Sequence, residues 1–287
     1  MEELDYLKSV LKNGKSLDIN FGNYSRVYFH SNENLSQYIP DMSNKKVLTV
    51  SSSGDHLLNL MGKGCTNIDT FDINRISPLY SDLKLYSILA LKPQNSYIFL
   101  STLDKNLFFK FKRYLPDNER HFFNYLYKNF DIDDIASFLF NIQGVDFIKN
   151  NNYFDIDVLL RIKRNLSHLR HDHFCCDMFS LNNYLTHNYD AIFLSNISEY
   201  VYDVDKFVRF ISELKKKLNR NGCIYYAYLY DNNLQYPLDM VRSINKNFFS
   251  DFDPYIYYNI INDTEVINVE SAMNPGTSKD SVLVLRK

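Results

Sequence analysis

The residues whose types and spacing suggest chemistry are the turn Ser51-Ser52-Ser53-Gly54 and the aspartate at position 72. The turn follows an apolar run, Val47 to Val50, and precedes a helical pattern. Asp72 lies 18 residues beyond Gly54, at the end of a second apolar strand. In such a strand–turn–helix–strand unit the small residues let a ligand approach the backbone and the helix start offers free N–H groups. A carboxylate on the second strand can accept both hydroxyls of a ribose. The pattern predicts an adenosine-containing ligand. Only one glycine stands in the turn, behind three serines, where a pyrophosphate cradle of the form G-x-G-x-x-G needs three, and no G-x-x-x-x-G-K-S/T phosphate loop occurs. A ligand without phosphates suits this turn, and S-adenosylmethionine (SAM) is one. The competing reading is a strand–helix–strand unit with no ligand, since turn glycines are common in α/β proteins.

A second constellation, Ser195-Asn196-Ile197-Ser198-Glu199-Tyr200, opens from the apolar run Ala191 to Leu194. Ligands of open α/β sheets sit at that edge. Glu199 and Tyr200 are the candidate catalytic pair, because a carboxylate and a phenol beside the ligand serve an acceptor that must lose a proton before it attacks. Asn196 and Ser198 could position the acceptor or the amino-acid end of SAM. Alternatively, Glu199 begins a solvent-facing loop and Tyr200 packs on the next helix. Upstream, Asn32 and Glu33 in SNENL could reach the SAM ammonium group or close the pocket, and a helix cap explains them equally well. His168, His171 and His173, with Asp172 and Cys175, invite a metal. Their H-x-x-H-x-H spacing matches no zinc signature, so no metal is expected. His30 is isolated, whereas His56 follows the ligand turn.

The elements that must position these groups alternate along the chain. After Asp72, residues 77–93 carry apolar positions at helical spacing and stop at Pro93. Residues 94–170 are dense in Phe and Tyr at mostly helical spacing, with an amphipathic helix at 154–169, and read as a helical insertion whose aromatics form core. Alternation resumes with a strand ending at Asp177, the strand before Ser195, a helix over 203–222 stopped by Gly222, and the strand 223–230. Strands at 264–272 and 280–287 follow, joined by Asn274-Pro275-Gly276. This order predicts a Rossmann-like, seven-stranded class I SAM-dependent methyltransferase fold with a helical insertion between strands 2 and 3. The expected division is an N-terminal helical or cap segment, 1–40, and a SAM-binding domain, 41–287, with the insertion at about 94–170.

At 287 residues the chain can bury one large core. With 32 basic and 34 acidic residues the net charge is −2, so no global field draws it to nucleic acid, and none is expected as a partner. The basic runs at 110–113, 161–164 and 215–217 read as solvated helix faces, with an anionic-acceptor or membrane-facing role as the alternative. Four cysteines without C-x-x-C spacing, the adjacent pair Cys175-Cys176 placed in a buried strand, suit a reducing cytosol. No apolar run approaches 18 residues and no leader pattern stands at the start. A cytoplasmic location is expected, with peripheral membrane contact open.

The segments SNENL, VLTVSSSGDHLLNLMGKG, IDTFDIN, SDLKLYSILAL and DAIFLSNISEYV resemble a family of SAM-binding proteins related to the enzyme that begins betaine-lipid synthesis. That enzyme moves the 3-amino-3-carboxypropyl group of SAM onto diacylglycerol. The resemblance implies that Ser52, Ser53 and Gly54 line the methionine end, that Asp72 holds the ribose, and that Asp177 faces the adenine amino group with Met178 against the ring. The first motif departs from the common methyltransferase pattern in lacking the G-x-G pair. Aminocarboxypropyl transfer from SAM to a small-molecule or lipid acceptor is the activity implied. Methyl transfer and SAM binding without turnover are the alternatives.

Overall fold

A computed structural model of the protein describes residues 2–18, 22–142, 144–201, 203–229 and 264–287, without the side chains of Glu199, Tyr200 and Val204. Seven strands form one sheet: β1 (Lys46–Val50), β2 (Asn67–Asp72), β3 (His173–Cys175), β4 (Tyr189–Phe193), β5 (Leu218–Leu229), β6 (Thr264–Glu270) and β7 (Lys279–Arg286). Their order across the sheet is β3-β2-β1-β4-β5-β7-β6. The first five run parallel, and β7 lies antiparallel between β5 and β6. This is the class I SAM-dependent methyltransferase fold.

Central strands of a parallel sheet are covered on both faces and so read as continuous apolar runs. In β1, Val47 and Leu48 are both fully buried but belong to different cores. Val47 faces Leu57, Leu58 and Met61 of the helix Asp55–Gly62, and Leu48 shares a core with Phe207, Phe210 and Leu214 of the helix Val204–Lys216. A third core contains no strand of this sheet. It joins Leu4 and Leu7 of the helix Glu2–Lys12 to the helices Ile76–Ala90, Pro93–Thr102, Lys105–Phe111 and Asp117–Asn129. Most aromatics of this region are its filling, with Phe108 stacked on Tyr127 at 4.1 Å, whereas Phe109 and Tyr114 are exposed. A two-stranded parallel ladder, Val27–Tyr28 against Phe140–Asn141, ties the N-terminal segment to the end of the helical region.

Four local expectations are corrected. Pro93 does not stop the preceding helix, which ends at Ala90, but begins the next one, where its missing N–H costs nothing. The third strand ends at Cys175, and Asp177 instead caps the 3₁₀ helix Met178–Asn183. Because β3 is the sheet's edge, Cys175 is exposed while Cys176 is buried. Gly222 lies inside β5, since the helix already ends at Lys216. Three extra residues bulge between Leu218 and Cys223 opposite β4, and a Cβ at Gly222 would stand 3.2 Å from the Asp190 carbonyl. Among the described residues no helix is long and apolar enough to cross a membrane.

Candidate functional site

The β1/β4 boundary is where the order of connections reverses, and helices leave to opposite faces there. Beyond each of these two strands stands a serine in the left-handed region, Ser52 at φ 45° and Ser195 at φ 58°. A non-glycine residue there is strained, and such residues collect at binding sites. Between them opens a cleft of about 280 Å³. Val50 and Ser52, then Phe71 and Asp72, then Asp177 to Phe179, then Leu194 to Ile197 come from the carboxyl ends of four adjacent strands; the facing wall is Ser25 to Tyr28 with Asn141.

Among the residues singled out by sequence, Ser52, Asp72, Asp177, Met178 and Asn196 meet in this cleft. Ser53 does not line it. Its side chain is fully buried with an Oγ that has no hydrogen-bond partner among the described residues. Gly54 does not line it either. With φ at 79°, a Cβ there would fall 2.5 Å from Ser81 Oγ and 2.9 Å from Ser81 Cα, so packing against the helix Ile76–Ala90 explains this glycine. The turn Ile197–Tyr200 carries Glu199 and Tyr200, whose side chains lie outside the description.

Asp72 is oriented by backbone. Its Oδ2 accepts from Ser52 N at 2.9 Å and its Oδ1 from Asn74 N at 2.9 Å. The Ser77 hydroxyl and the Ile73 amide also act on this carboxylate, which stands in the cleft where a ribose diol would need an acceptor. Burial raises its carboxyl above the usual range, against the pull of the Asn74 and Ser52 amides. Asp177 is more fully engaged, since Oδ1 accepts from Phe179 N and Ser180 N and Oδ2 from Ser180 Oγ at 2.5 Å. Met178, Phe179, Val50, Leu194 and Ile197 give the cleft an apolar wall on which a purine could rest.

Two buried polar clusters anchor residues 29–38 to the start of the helix Asp55–Gly62. Asp55 is wholly buried, and its Oδ1 accepts from Lys84 Nζ at 2.5 Å and Tyr153 Oη at 2.7 Å, its Oδ2 from Ser31 N at 2.5 Å. Burial opposes its charge, yet Lys84 and His30 hold the carboxyl far below the usual range. One residue on, His56 faces Glu33. Glu33 Oε2 accepts from Tyr38 Oη at 2.7 Å with His56 Nε2 3.5 Å away, and Oε1 accepts from Ser195 Oγ. Desolvation again opposes ionisation, and the His56 imidazole and the hydroxyls of Ser195 and Tyr38 hold the carboxyl below its usual range. Through Ser195 this cluster touches the cleft.

Sequence reasoning missed the wall at Ser25 to Tyr28 and Asn141, because two-residue strands carry no periodicity. The Glu33–His56 pairing had one faint signal, a carboxylate in the segment before β1 and a histidine just after the ligand turn. The histidines near 170 do other work. Thr70 Oγ1 bridges His171 Nε2 at 2.8 Å and His173 Nδ1 at 3.0 Å, and burial with the neighbouring His171 pushes His173 down to about 4. Among the described residues no group of three or more His, Cys, Asp or Glu is placed to hold a metal ion. Several cations of the basic runs cap carbonyls. Arg161 reaches Gly62 O, Lys163 reaches Leu91 O and Lys217 reaches Leu185 O.

No family model matches the sequence, and no curated protein matches it. Solved structures do. The N-methyltransferase NodS of Bradyrhizobium japonicum, in complex with S-adenosyl-L-homocysteine, is similar at 8% identity over 85% of this chain and 78% of its own, with a TM-score of 0.42. The rRNA methyltransferase aviRa of Streptomyces viridochromogenes is similar at 10% identity over 86% and 78%, with a TM-score of 0.41. An rRNA methylase of Streptococcus thermophilus is similar at 8% identity over 88% and 92%, with a TM-score of 0.35. These likenesses are distant, and the fold rests on the strand order itself.

Proposed function

We propose that this protein is a SAM-dependent transferase. The observation that carries the reading is Asp72, oriented by the Ser52 and Asn74 amides at the carboxyl end of β2 in the cleft, beside a turn with no phosphate-binding glycines. Bound SAM supplies an electrophilic carbon on a sulfonium. The chain's own part is to bind and orient. Asp72 takes the ribose hydroxyls, Met178 and Phe179 flank the purine, and Asn196 with the turn after β4 meets the amino-acid end. Tyr28 and Asn141 face the side by which an acceptor enters. Glu199 and Tyr200, on the turn that borders the cleft, are our candidates to take the acceptor's proton and orient it.

An enzyme chooses among the three electrophilic carbons by which one it holds in line with the nucleophile. The sequence resemblance favours the 3-amino-3-carboxypropyl group, with methyl transfer as the second reading, suggested by the fold and by the methyltransferases it resembles in structure. Titration calorimetry with SAM and with NAD tests the binding: tight NAD binding without SAM binding overturns it. Incubating the protein with labelled SAM and lipid or metabolite fractions tests the chemistry. 5′-Methylthioadenosine as coproduct marks aminocarboxypropyl transfer and S-adenosylhomocysteine marks methyl transfer. Binding with neither coproduct identifies a SAM-binding protein without turnover.

A further inference from the structure

We propose that Arg26 receives an anionic group of the acceptor, a carboxylate or a phosphate, so that the second substrate is an acidic molecule and not a neutral lipid. The inference rests on the SAM reading above. Residues 25–33 cross the cleft from one flank of β1 to the other. Ser25 is laced to Asn74 just beyond β2, its N–H donating to Asn74 Oδ1 at 3.3 Å and its carbonyl accepting from Asn74 Nδ2 at 3.0 Å. Ser31 N donates to Asp55 beyond β1, and Glu33 accepts from Ser195 beyond β4. Side chains alternate along an extended crossing of this kind. Val27 and its ladder partner Phe140 point into the helical core, which leaves Arg26, Tyr28 and Asn141 to the cleft, and all three line it.

Among the described residues lining the cleft, Arg26 is the sole cation. Neutral groups hold it in place: Nε donates to Leu17 O at 3.2 Å and Nη2 to Ser16 Oγ at 2.7 Å, while Nη1 donates to nothing and no carboxylate pairs with it among the described residues. A guanidinium does not lose its proton in a protein, so a charged donor is kept open at the rim. The two carboxylates of the cleft, Asp72 and Asp177, stand on the opposite wall, where the adenosine is placed. SAM has a carboxylate of its own, at the amino-acid end that the reading above sets against the turn after β4. Arg26 stands at the β2 flank, and β2 and β4 lie on opposite sides of β1, about 10 Å apart. An anion at Arg26 therefore belongs to the other substrate, whose reacting atom would lie further in, beside Tyr28 and Asn141. Fixing the remote end of the acceptor orients its near end.

The test titrates inorganic phosphate and acetate, by calorimetry, into the protein saturated with S-adenosylhomocysteine. At least one of the two anions is expected to bind at millimolar concentration. Arg26→Gln should weaken that binding about tenfold, and Arg26→Lys, which keeps the charge but not the fork, should weaken it less. Affinity for SAM should stay within about twofold in both variants. No binding of either anion to the wild-type protein overturns the inference, and so does equal binding to wild type and Arg26→Gln, which marks an adventitious ion only. A loss of SAM affinity of about tenfold in Arg26→Gln assigns the guanidinium to SAM's carboxylate, or to the fold, and overturns it too. So does transfer from labelled SAM to neutral diacylglycerol at the same rate in wild type and Arg26→Gln. The wild-type titration needs no variant, so an Arg26→Gln protein that does not fold leaves the idea exposed to refutation. S-adenosylhomocysteine binding without anion binding leaves the SAM reading standing. If neither SAM nor S-adenosylhomocysteine binds, the SAM reading falls and the inference with it.

Discussion

Asp55 and Glu33 are both buried carboxylates, both tied to the first residues of the same helix, and they are stabilised in opposite ways. Asp55 has a cation, Lys84, and two further donors, which close it off electrically. Glu33 has hydroxyls and an imidazole, and it stands next to the cleft. A closed ion pair fastens chain to chain; here it joins the helices starting at Asp55 and Ile76 and the segment around Ser31. The first cluster fastens chain to chain, and the second touches the cleft through Ser195.

The sharpest way to break this comparison is to remove the cation. Lys84→Met leaves Asp55 buried and unpaired and should cost about 3–5 kcal/mol in urea unfolding, the scale of a broken buried ion pair. Glu33→Gln, which keeps the side chain's size and an acceptor oxygen, should cost less, about 1 kcal/mol. Equal losses would show that the two clusters do the same job. Gly54→Val tests whether the turn belongs with the fastening side. A branched side chain at positive φ against Ser81 should destabilise the fold by about 2–4 kcal/mol, read as a lowered melting temperature. A folded Gly54→Val protein with normal stability would put that glycine on the ligand side instead. Asp72→Ala belongs with recognition and should weaken SAM binding by about 1.5–3 kcal/mol, measured by calorimetry, while the unfolding midpoint changes little.

Titration sharpens the contrast with a third carboxylate. Glu33 has a depressed pKa, so its contribution to stability is present above the ordinary glutamate range and is lost as pH falls through its folded value. Asp82 has the opposite sign. Burial, with Glu119 nearby, pushes its carboxyl up to about 7, so the folded state loses stability as pH rises from the ordinary aspartate range to about 7. Asp82→Asn should therefore stabilise the protein by on the order of 1–2 kcal/mol at pH 8 and by almost nothing at pH 4. A gain of equal size at both pH values would exclude titration as its cause.

How far the sequence could be read follows from the range of the interactions involved. The β1 run, the serine turn and Asp72 lie within thirty residues of one another and are governed by local periodicity and spacing, so the two strands and the place of Asp72 at the end of the second were legible. Gly54 was legible as a turn glycine but not for its reason, because Ser81 stands on another helix. The pairing of Tyr28 with Asn141, like the contact of Glu33 with Ser195, spans more than a hundred residues and leaves no pattern in either segment. Cys175 read as buried because its composition is that of a strand, and composition does not say which strand ends the sheet.

The strand order also has a consequence for the making of the protein. β1 takes β2 as one neighbour at once, but its other neighbour is β4, and Ser195 follows Ser52 by more than a hundred residues. A chain emerging from the ribosome, at about 5–20 residues per second, thus carries the serine turn for several seconds with one flank of β1 unpaired. Throughout that interval the cleft does not exist. Its ligand cannot assist the early steps of folding.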